Sequence, residues 1–562
     1  MGILKHIFKA APEIALFASL AVGHAVGRVK VGGFSLGGVA GSLVVALVVG
    51  ELTGVVLPEA LKAVCFALFI YAVGFKSGPE FFGGLNRSSL KLVISSVVQC
   101  VAALLATIVV ARAWGFSKGF SAGIAAGALT ATAMMGTAGD ALTRLGLSQD
   151  QLSLYNSQMA VGFAVTYVFG TVGVIVFVRS VAPRLLGVDV KKAARELEVE
   201  LSDGGKVSRP GYITPFVPVV SRAFAVAPHQ GAERKVAELE KQFDRASIER
   251  VVRDEEILEH GPDLVLKEGD VVGVAGRLAA VMAAGELIGG EVESKEALSF
   301  PVKVVSVVIT DKRLAGKTLM QVRNSFSRQD IHGVYVLSFK RQGLPLPVLP
   351  KTQVRRGDVL ELAGRPAEVD RVASVLGYAD PGSGKSDLAY HALAIVMGTL
   401  LGLLTVAVGG IPVTLGVGGG VLVAALCFGW WHTRYPVHGG LPGPAQWVLS
   451  EFGLSAFAAA VGLSAGPKAV AAIQEQGVAL LLAGAALTLV PLIVALYFGR
   501  FVLKLNPVVL LGALCGGQTV AAALSAVNEE TESMTPVLGF TVTYAISNVL
   551  LAVWGPVLVA VT

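Results

Sequence analysis

The chain has 562 residues, 54% of them hydrophobic and only 15% charged, whereas a soluble domain carries about 25% charged residues; a single soluble core is excluded. Its formal charge of +6 is scattered, with no basic run interleaved with aromatic residues, which argues against nucleic acid as a partner. Cys65, Cys100, Cys427 and Cys515 stand far apart in apolar segments without metal-binding spacing and are expected to be buried thiols.

At the start of the chain, Met1 to Gly27 places Lys5 and Lys9 ahead of an apolar run, like a secretory leader. This run and the next match the opening of the second half, so it is read as a retained first helix. Runs near or above the ~20 residues that cross a bilayer lie at 12–28, 35–57, 60–76, 90–113 and 157–182. After residue 119 comes a Gly/Ala/Thr-rich segment, 119–145, too polar and interrupted for an ordinary span. Charged residues crowd into 186–387. The apolar series then returns at 388–409, 414–431, 446–466, 477–500 and 535–561, with a second Gly/Ala/Thr-rich segment at 506–527. The predicted domains are a membrane repeat (1–185), a linker (186–209), two soluble domains (210–290 and 295–378), a linker (379–387) and a second membrane repeat (388–562).

The repeat holds residue by residue. LGGVAGSLVVAL from Leu36 matches LGVGGGVLVAAL from Leu415. FIYAVGFKSGP from Phe69 matches FAAAVGLSAGP from Phe457, pairing Gly74, Gly78 and Pro79 with Gly462, Gly466 and Pro467. GAL at Gly127 matches GAL at Gly512, and GFAVTY at Gly162 matches GFTVTY at Gly539. Matches in this order at nearly constant spacing indicate duplication. With five crossings per half and an external N-terminus, the inner loops of the first half hold Arg28, Lys30, Lys76, Arg87, Lys91, Arg179 and Arg184, a modest positive-inside bias. An odd number of crossings makes the halves inverted copies, an arrangement that lets a transporter expose one site to each side in turn. The predicted fold class is an all-α polytopic membrane protein of two inverted repeats, each of about five helices and a broken or re-entrant segment, around a central α/β module.

The central stretch repeats too. GDVVGVAGR from Gly269 and GDVLELAGR from Gly357 each close a run of short alternating strands before a helix, as in VKVVSVVI from Val302. On this signature each copy resembles the C-terminal ligand-sensing subdomain of potassium-transport regulators, the RCK-C or TrkA-C fold, over residues 210–290 and 300–378. The resemblance implies a cytoplasmic regulatory module with an unidentified ligand and a homodimer formed through it. DPGSGKSD, Asp380 to Asp387, imitates a phosphate loop, but Ala379 stands where that motif needs glycine and the run enters an apolar helix directly, so it is linker.

Function is expected in GALTATAMMGTAGD, Gly127 to Asp140, and GALCGGQTVAAALS, Gly512 to Ser525. A helix broken there frees amides and carbonyls that lipid cannot satisfy, and a new helix N-terminus favours a carboxylate. The substrate-binding candidates are Thr130, Thr132, Thr137, Gln518 and Thr519, with Lys76 as a carboxylate anchor and Thr166 and Thr543 lining the path. Breaks or hinges are expected at Gly78, Pro79, Gly127, Gly136, Gly466, Pro467, Gly512, Gly516 and Gly517. The competing reading is that these small residues only let helices pack closely, that Lys76 marks the inner interface, and that Asp140 and Arg144 are a loop pair. The soluble stretch has no nucleophile–base pair, metal-ligand cluster or complete phosphate loop, so no catalytic residue, metal or cofactor is assigned. A TVGYG-type filter is absent from the sequence, which weighs against an ion channel or cation transporter gated by the module.

Two membrane repeats flanking two TrkA-C-like domains resemble the aspartate:alanine exchanger family over nearly the whole chain. VGFKSGPEFFGGL, the GAL segments and the GF-x-VTY ending are closer to the exchanger that gives the family its name than to its relatives of unassigned substrate. The resemblance implies uptake of L-aspartate in exchange for internal L-alanine across a bacterial inner membrane. Coupled to cytosolic aspartate decarboxylation, such exchange would be electrogenic and support a proton-motive force. A dicarboxylate exchanger or exporter of the succinate type is the alternative on the same fold.

Overall fold

Ser117 and Asn506 do the same work in the two halves: each follows a long apolar helix and caps a short one, its side-chain oxygen accepting from Phe120 N or Val508 N. The computed structural model describes residues 2–31, 34–35, 37–84, 89–202, 219–243, 246–258, 261–326, 331, 333–380, 384–408, 411–414 and 416–562. Expectations that rest on Leu36, Arg87, residues 210–218, Pro381 to Ser383 or Leu415 lie outside them. The described chain forms two units, Met1–Leu197 with Gly384–Thr562, and Glu198–Ser383.

In the membrane unit the first half runs α1 (Gly2–Ala10), α2 (Pro12–Gly27), the hairpin β1 (Lys30–Val31) and β2 (Phe34–Ser35), α3 (Gly38–Thr53), α4 (Glu59–Gly84), α5 (Leu90–Trp114), α6 (Lys118–Ala128), α7 (Thr132–Thr143) and α8 (Gln149–Val168). Two π-helical stretches join α8 to α9 (Val174–Val176) and α10 (Ala182–Leu186), and α11 (Val190–Leu201) follows. The later soluble unit contains α12 to α16. The second half repeats the order as α17 (Leu388–Leu403), the hairpin β13 (Thr405–Val408) and β14 (Ile411–Thr414), α18 (Gly416–His432), α19 (Gly443–Tyr497), α20 (Pro507–Gly517), α21 (Ala521–Thr531) and α22 (Val537–Val561). Among the described residues six stretches are long and apolar enough to cross a membrane: 59–84, 90–114, 149–186, 443–466, 476–502 and 537–561. The first two expected runs of each half form shorter apolar helices, 12–27, 38–53, 388–403 and 416–432.

Glycines set how the halves interlock. Gly74 and Gly78 of α4 lie against Leu422 and Leu426 of α18, while Gly462 and Gly466 of α19 lie against Leu43 and Leu47 of α3. The third helix of each half therefore packs on the second helix of the other, and a Cβ at Gly78 would run into the Leu426 carbonyl. This corrects the hinge expectation for Gly78 and Pro79: α4 is continuous through Pro79. Gly466 and Pro467 also fall inside a helix, α19. The small residues are there for backbone contact, which a side chain would prevent. Cys427 is exposed, unlike the other three cysteines.

The Gly/Ala/Thr segments are re-entrant hairpins. α6 runs parallel to α8, with Gly119, Gly123 and Gly127 against Tyr155, Met159 and Phe163. α7 then returns to the start of α8 through Arg144 to Ser148. In the second half α20 runs parallel to α22, with Gly512 and Gly516 against Pro536 and Phe540, and α21 returns to the start of α22. The mouths are at opposite ends of the bundle: Lys118, opening α6, donates Nζ to Val559 O near the end of α22 at 2.7 Å. The same contacts correct one repeat match. Gly127 meets Phe163 and Thr166 as Gly516 meets Phe540 and Thr543, so the two GAL triplets sit one helical turn out of register, whereas the GF-x-VTY match holds.

The soluble unit holds two antiparallel sheets of one design. The first has β3 (Val219–Ala225), β4 (Ala246–Arg253), β5 (Glu256–Leu258), β6 (Val271–Arg277) and β7 (Glu291–Val292), ordered β5-β4-β6-β3-β7. The second has β8 (Lys303–Ile309), β9 (Val334–Arg341), β10 (Leu344–Pro345), β11 (Val359–Gly364) and β12 (Gly377–Asp380), ordered β10-β9-β11-β8-β12. The first sheet is accompanied by α12 (Val236–Glu240), α13 (Leu278–Ile288) and α14 (Lys295–Leu298), the second by α15 (Leu319–Asn324) and α16 (Pro366–Leu376). The repeated Gly-Asp has a physical role in each. Gly269 and Gly357 adopt φ +85° and +86°, which glycine does without strain. Asp270 then binds Arg253 and the Lys267 amide, and Asp358 binds Arg341 and the Arg355 amide, with both Arg Nε–Asp distances 2.7 Å.

Candidate functional site

Each hairpin turns on three residues, Leu129 to Ala131 and Gln518 to Val520. The middle one is a threonine in the left-handed region, Thr130 at φ 51° and Thr519 at φ 57°, which costs a β-branched residue about 1–3 kcal/mol. The turn closes the C-terminus of the first arm, with Ala131 N donating to Ala126 O at 2.8 Å and Val520 N to Cys515 O at 3.0 Å. The strained threonines hold each other across the two tips. Thr130 Oγ1 donates to Gln518 O at 3.0 Å, Thr519 Oγ1 donates to Leu129 O at 3.1 Å, and the two hydroxyls stand 3.2 Å apart. Exchanging the halves reproduces this pattern, so the crossing lies on the pseudo-twofold axis that relates them.

The second arms, α7 and α21, begin at the crossing. Their N-cap residues, Ala131 and Val520, cap with no side-chain hydrogen bond, so first-turn amides face the tips with the partial positive charge of a helix N-terminus. The C-termini of α6 and α20 bring carbonyls and partial negative charge to the same place. Leu129, Gln518 and Val520 are buried while Thr130 and Thr519 are half-buried. None of the six tip residues is ionisable. The crossing therefore offers hydrogen-bond donors and acceptors side by side, without a fixed charge.

Of the sequence candidates, Thr130, Gln518 and Thr519 form the crossing, and Thr132 opens α7 beside it, buried. Three others are already satisfied as packing bonds. Thr137 Oγ1 donates to Ala552 O at 2.6 Å, Thr166 Oγ1 to Ile124 O at 3.1 Å, and Thr543 Oγ1 to Gly539 O at 3.0 Å. Lys76 is exposed on α4 and, among the described residues, forms no hydrogen bond or ion pair with the tips. The hinge expectation is corrected at Gly127, Gly136, Gly512 and Gly516, which lie inside helices: Gly136 seats the Phe66 ring, and the others seat α8 or α22. Gly517 ends α20 and adjoins the turn, whose strained residue is threonine. Asp140 and Arg144 pair at 3.5 Å at the mouth of the first hairpin, beside Gly416. Sequence reasoning missed Gln99 and Thr488, which pack on the ends of α20 and α6; the available signal was a polar side chain near the middle of each apolar span.

A family model described as Predicted Permease Membrane Region matches residues 15–183 and 390–560, and a TrkA-C domain model matches residues 304–377. Full-length relatives include an uncharacterized transporter of Zymomonas mobilis, 38% identical over 100% of this chain and 99% of its own. Another from Bradyrhizobium diazoefficiens is 39% identical over 100% of both chains, and one from Bordetella parapertussis is 39% identical over 99% of this chain and 98% of its own. No solved structure matches.

Proposed function

The chain belongs to the aspartate:alanine exchanger permease family and is a multi-pass membrane transporter, and from that premise we propose that it exchanges external L-aspartate for internal L-alanine by alternating access. The observation that carries the reading is the meeting of two re-entrant tips from opposite ends of the bundle through Thr130 and Thr519. A substrate held there is reached from one side by parting the first hairpin and from the other by parting the second, which is what inverted repeats permit. The α-carboxylate would take the first-turn amides of α7 or α21. Alanine lacks the second carboxylate, so that part of the site must tolerate an empty anion pocket, and Lys76 is its proposed anchor. Exchange of a net anion for a neutral zwitterion would be electrogenic. The TrkA-C module would lie in the cytoplasm, bind a regulatory ligand and pair two chains into a homodimer; native mass spectra containing only monomer would remove the pairing.

The test is purified protein reconstituted in proteoliposomes loaded with L-aspartate, followed by entry of labelled L-aspartate against external L-alanine or succinate. Entry that requires internal substrate and is inhibited by L-alanine is expected. Inhibition by succinate alone would make the protein a dicarboxylate exchanger of the same fold. Lys76→Ala is expected to weaken L-aspartate more than L-alanine, and equal weakening would take Lys76 out of the role.

A further inference from the structure

Two buried glutamines flank one helix end, and each leaves an oxygen without a partner. Gln99 on α5 donates Nε2 to Leu514 O at 3.3 Å, and Gln518, just beyond α20, donates Nε2 to Thr488 O at 3.2 Å. Their side chains are enclosed, 1% and 0% exposed, yet among the described residues neither Gln99 Oε1 nor Gln518 Oε1 accepts a hydrogen bond. The amide orientations follow from their partners, because turning either one over would set oxygen against a carbonyl oxygen. Gly517 makes room for the first, since a Cβ there would collide with Gln99 Oε1. Buried acceptors are rarely left unmade in a folded chain.

The feature is one-sided. Thr488 meets Ala128 at the end of α6 as Gln99 meets Gly517 at the end of α20, and the counterpart of Gln518 is Leu129. Gln99 Oε1 therefore lies against Gly517, the last residue of α20, and Gln518 is the residue that follows, its amide on Thr488 O; helix carbonyls at this end already favour a cation, while the matching place in the first half carries a leucine.

We propose that Gln99 Oε1 and Gln518 Oε1, with the last carbonyls of α20, form a subsite for the ammonium group of an amino-acid substrate, whose carboxylate takes the open N-termini of α7 and α21. The proposal rests on the amino-acid reading above and adds to it a residue, Gln99, and a polarity. Such a subsite distinguishes an amino acid from a dicarboxylate of similar size that lacks nitrogen. It also orients the substrate along an otherwise symmetric crossing.

The full-length protein is reconstituted as wild type, Gln99→Met, Gln99→Glu and Gln518→Met, and exchange of labelled L-aspartate is measured with L-alanine and succinate as competitors. Met removes both amide atoms at nearly constant volume. Glu loses the donor to Leu514 but keeps an acceptor oxygen. The half-saturation for L-aspartate and L-alanine is expected to rise about tenfold in each Met variant, with inhibition by succinate unchanged, and Gln99→Glu recovers most of the lost affinity. Equal losses in Gln99→Met and Gln99→Glu would assign Gln99 to helix packing and overturn the proposal. A loss shared equally by amino acids and succinate would overturn it too. A sodium dependence of exchange that vanishes in Gln99→Met, with amino-acid preference intact, would give the oxygens to a free cation instead. Should Gln99→Met not fold, Gln518→Met carries the same comparison, with L-alanine protection against thermal unfolding as a second readout. Wild-type protein that exchanges succinate but neither amino acid sinks the exchanger reading before any variant is compared, and the ammonium subsite with it.

Discussion

Replacing the tip threonines separates strain from bonding. Thr130→Ala removes the donation to Gln518 O, worth about 1 kcal/mol, and leaves the left-handed backbone strained. Thr130→Gly removes the same bond and the strain, so it is expected to be the milder change by about 1 kcal/mol. The donations from Thr130 and Thr519 close the same crossing, so losing one loosens the other, and Thr130→Ala with Thr519→Ala should cost less than the sum by about 0.5–1 kcal/mol. Unfolding of the purified variants in detergent, arranged as a double-mutant cycle with the glycine variants beside it, measures all three quantities. Additive alanine effects together with equal alanine and glycine losses would refute the mutual support of the two tips.

Further outcomes follow from the packing and the soluble unit. Gly78→Val drives a side chain into the Leu426 carbonyl and is expected to cost about 3 kcal/mol; Pro79→Ala, in a continuous helix, should leave transport near wild type. A hinge would give the opposite ranking in transport assays. Arg341→Met takes the guanidinium away from Asp358 in a pair that is 4% and 1% exposed, a loss of about 3–5 kcal/mol. Arg253→Met should lose less because Arg253 is 23% exposed, and limited proteolysis of each variant would rank them. Burial raises the Tyr335 phenol from 10.0 to about 12. The native state therefore holds that proton longer than the unfolded chain, and its stabilisation is complete below pH 10 and lost as pH climbs through 12. An ultraviolet titration of wild type minus Tyr335→Phe should give one phenol ionising near 12, and a midpoint near 10 would contradict the burial.

Much of this molecule was legible in its letters. Duplication, the long apolar spans, the central module and the Gly-Asp signature depend on composition, periodicity and local turn chemistry, which neighbours in sequence express without help. The Gly/Thr segments could be recognised as interrupted helices on the same ground. Their threonines could not be sorted, because Thr130, Thr137 and Thr166 are alike in local pattern. They differ in what lies opposite: the second hairpin tip for Thr130, the Ala552 carbonyl for Thr137 and the Ile124 carbonyl for Thr166. Nor could Gly78 and Pro79 reveal whether they break a helix or admit a neighbour, since the deciding atom is a backbone oxygen of Leu426. The candidate site is made largely of amides and carbonyls that every residue carries. Tertiary packing alone decides which of them are left facing one another, because a backbone group's availability depends on the partner that packing brings to it or withholds.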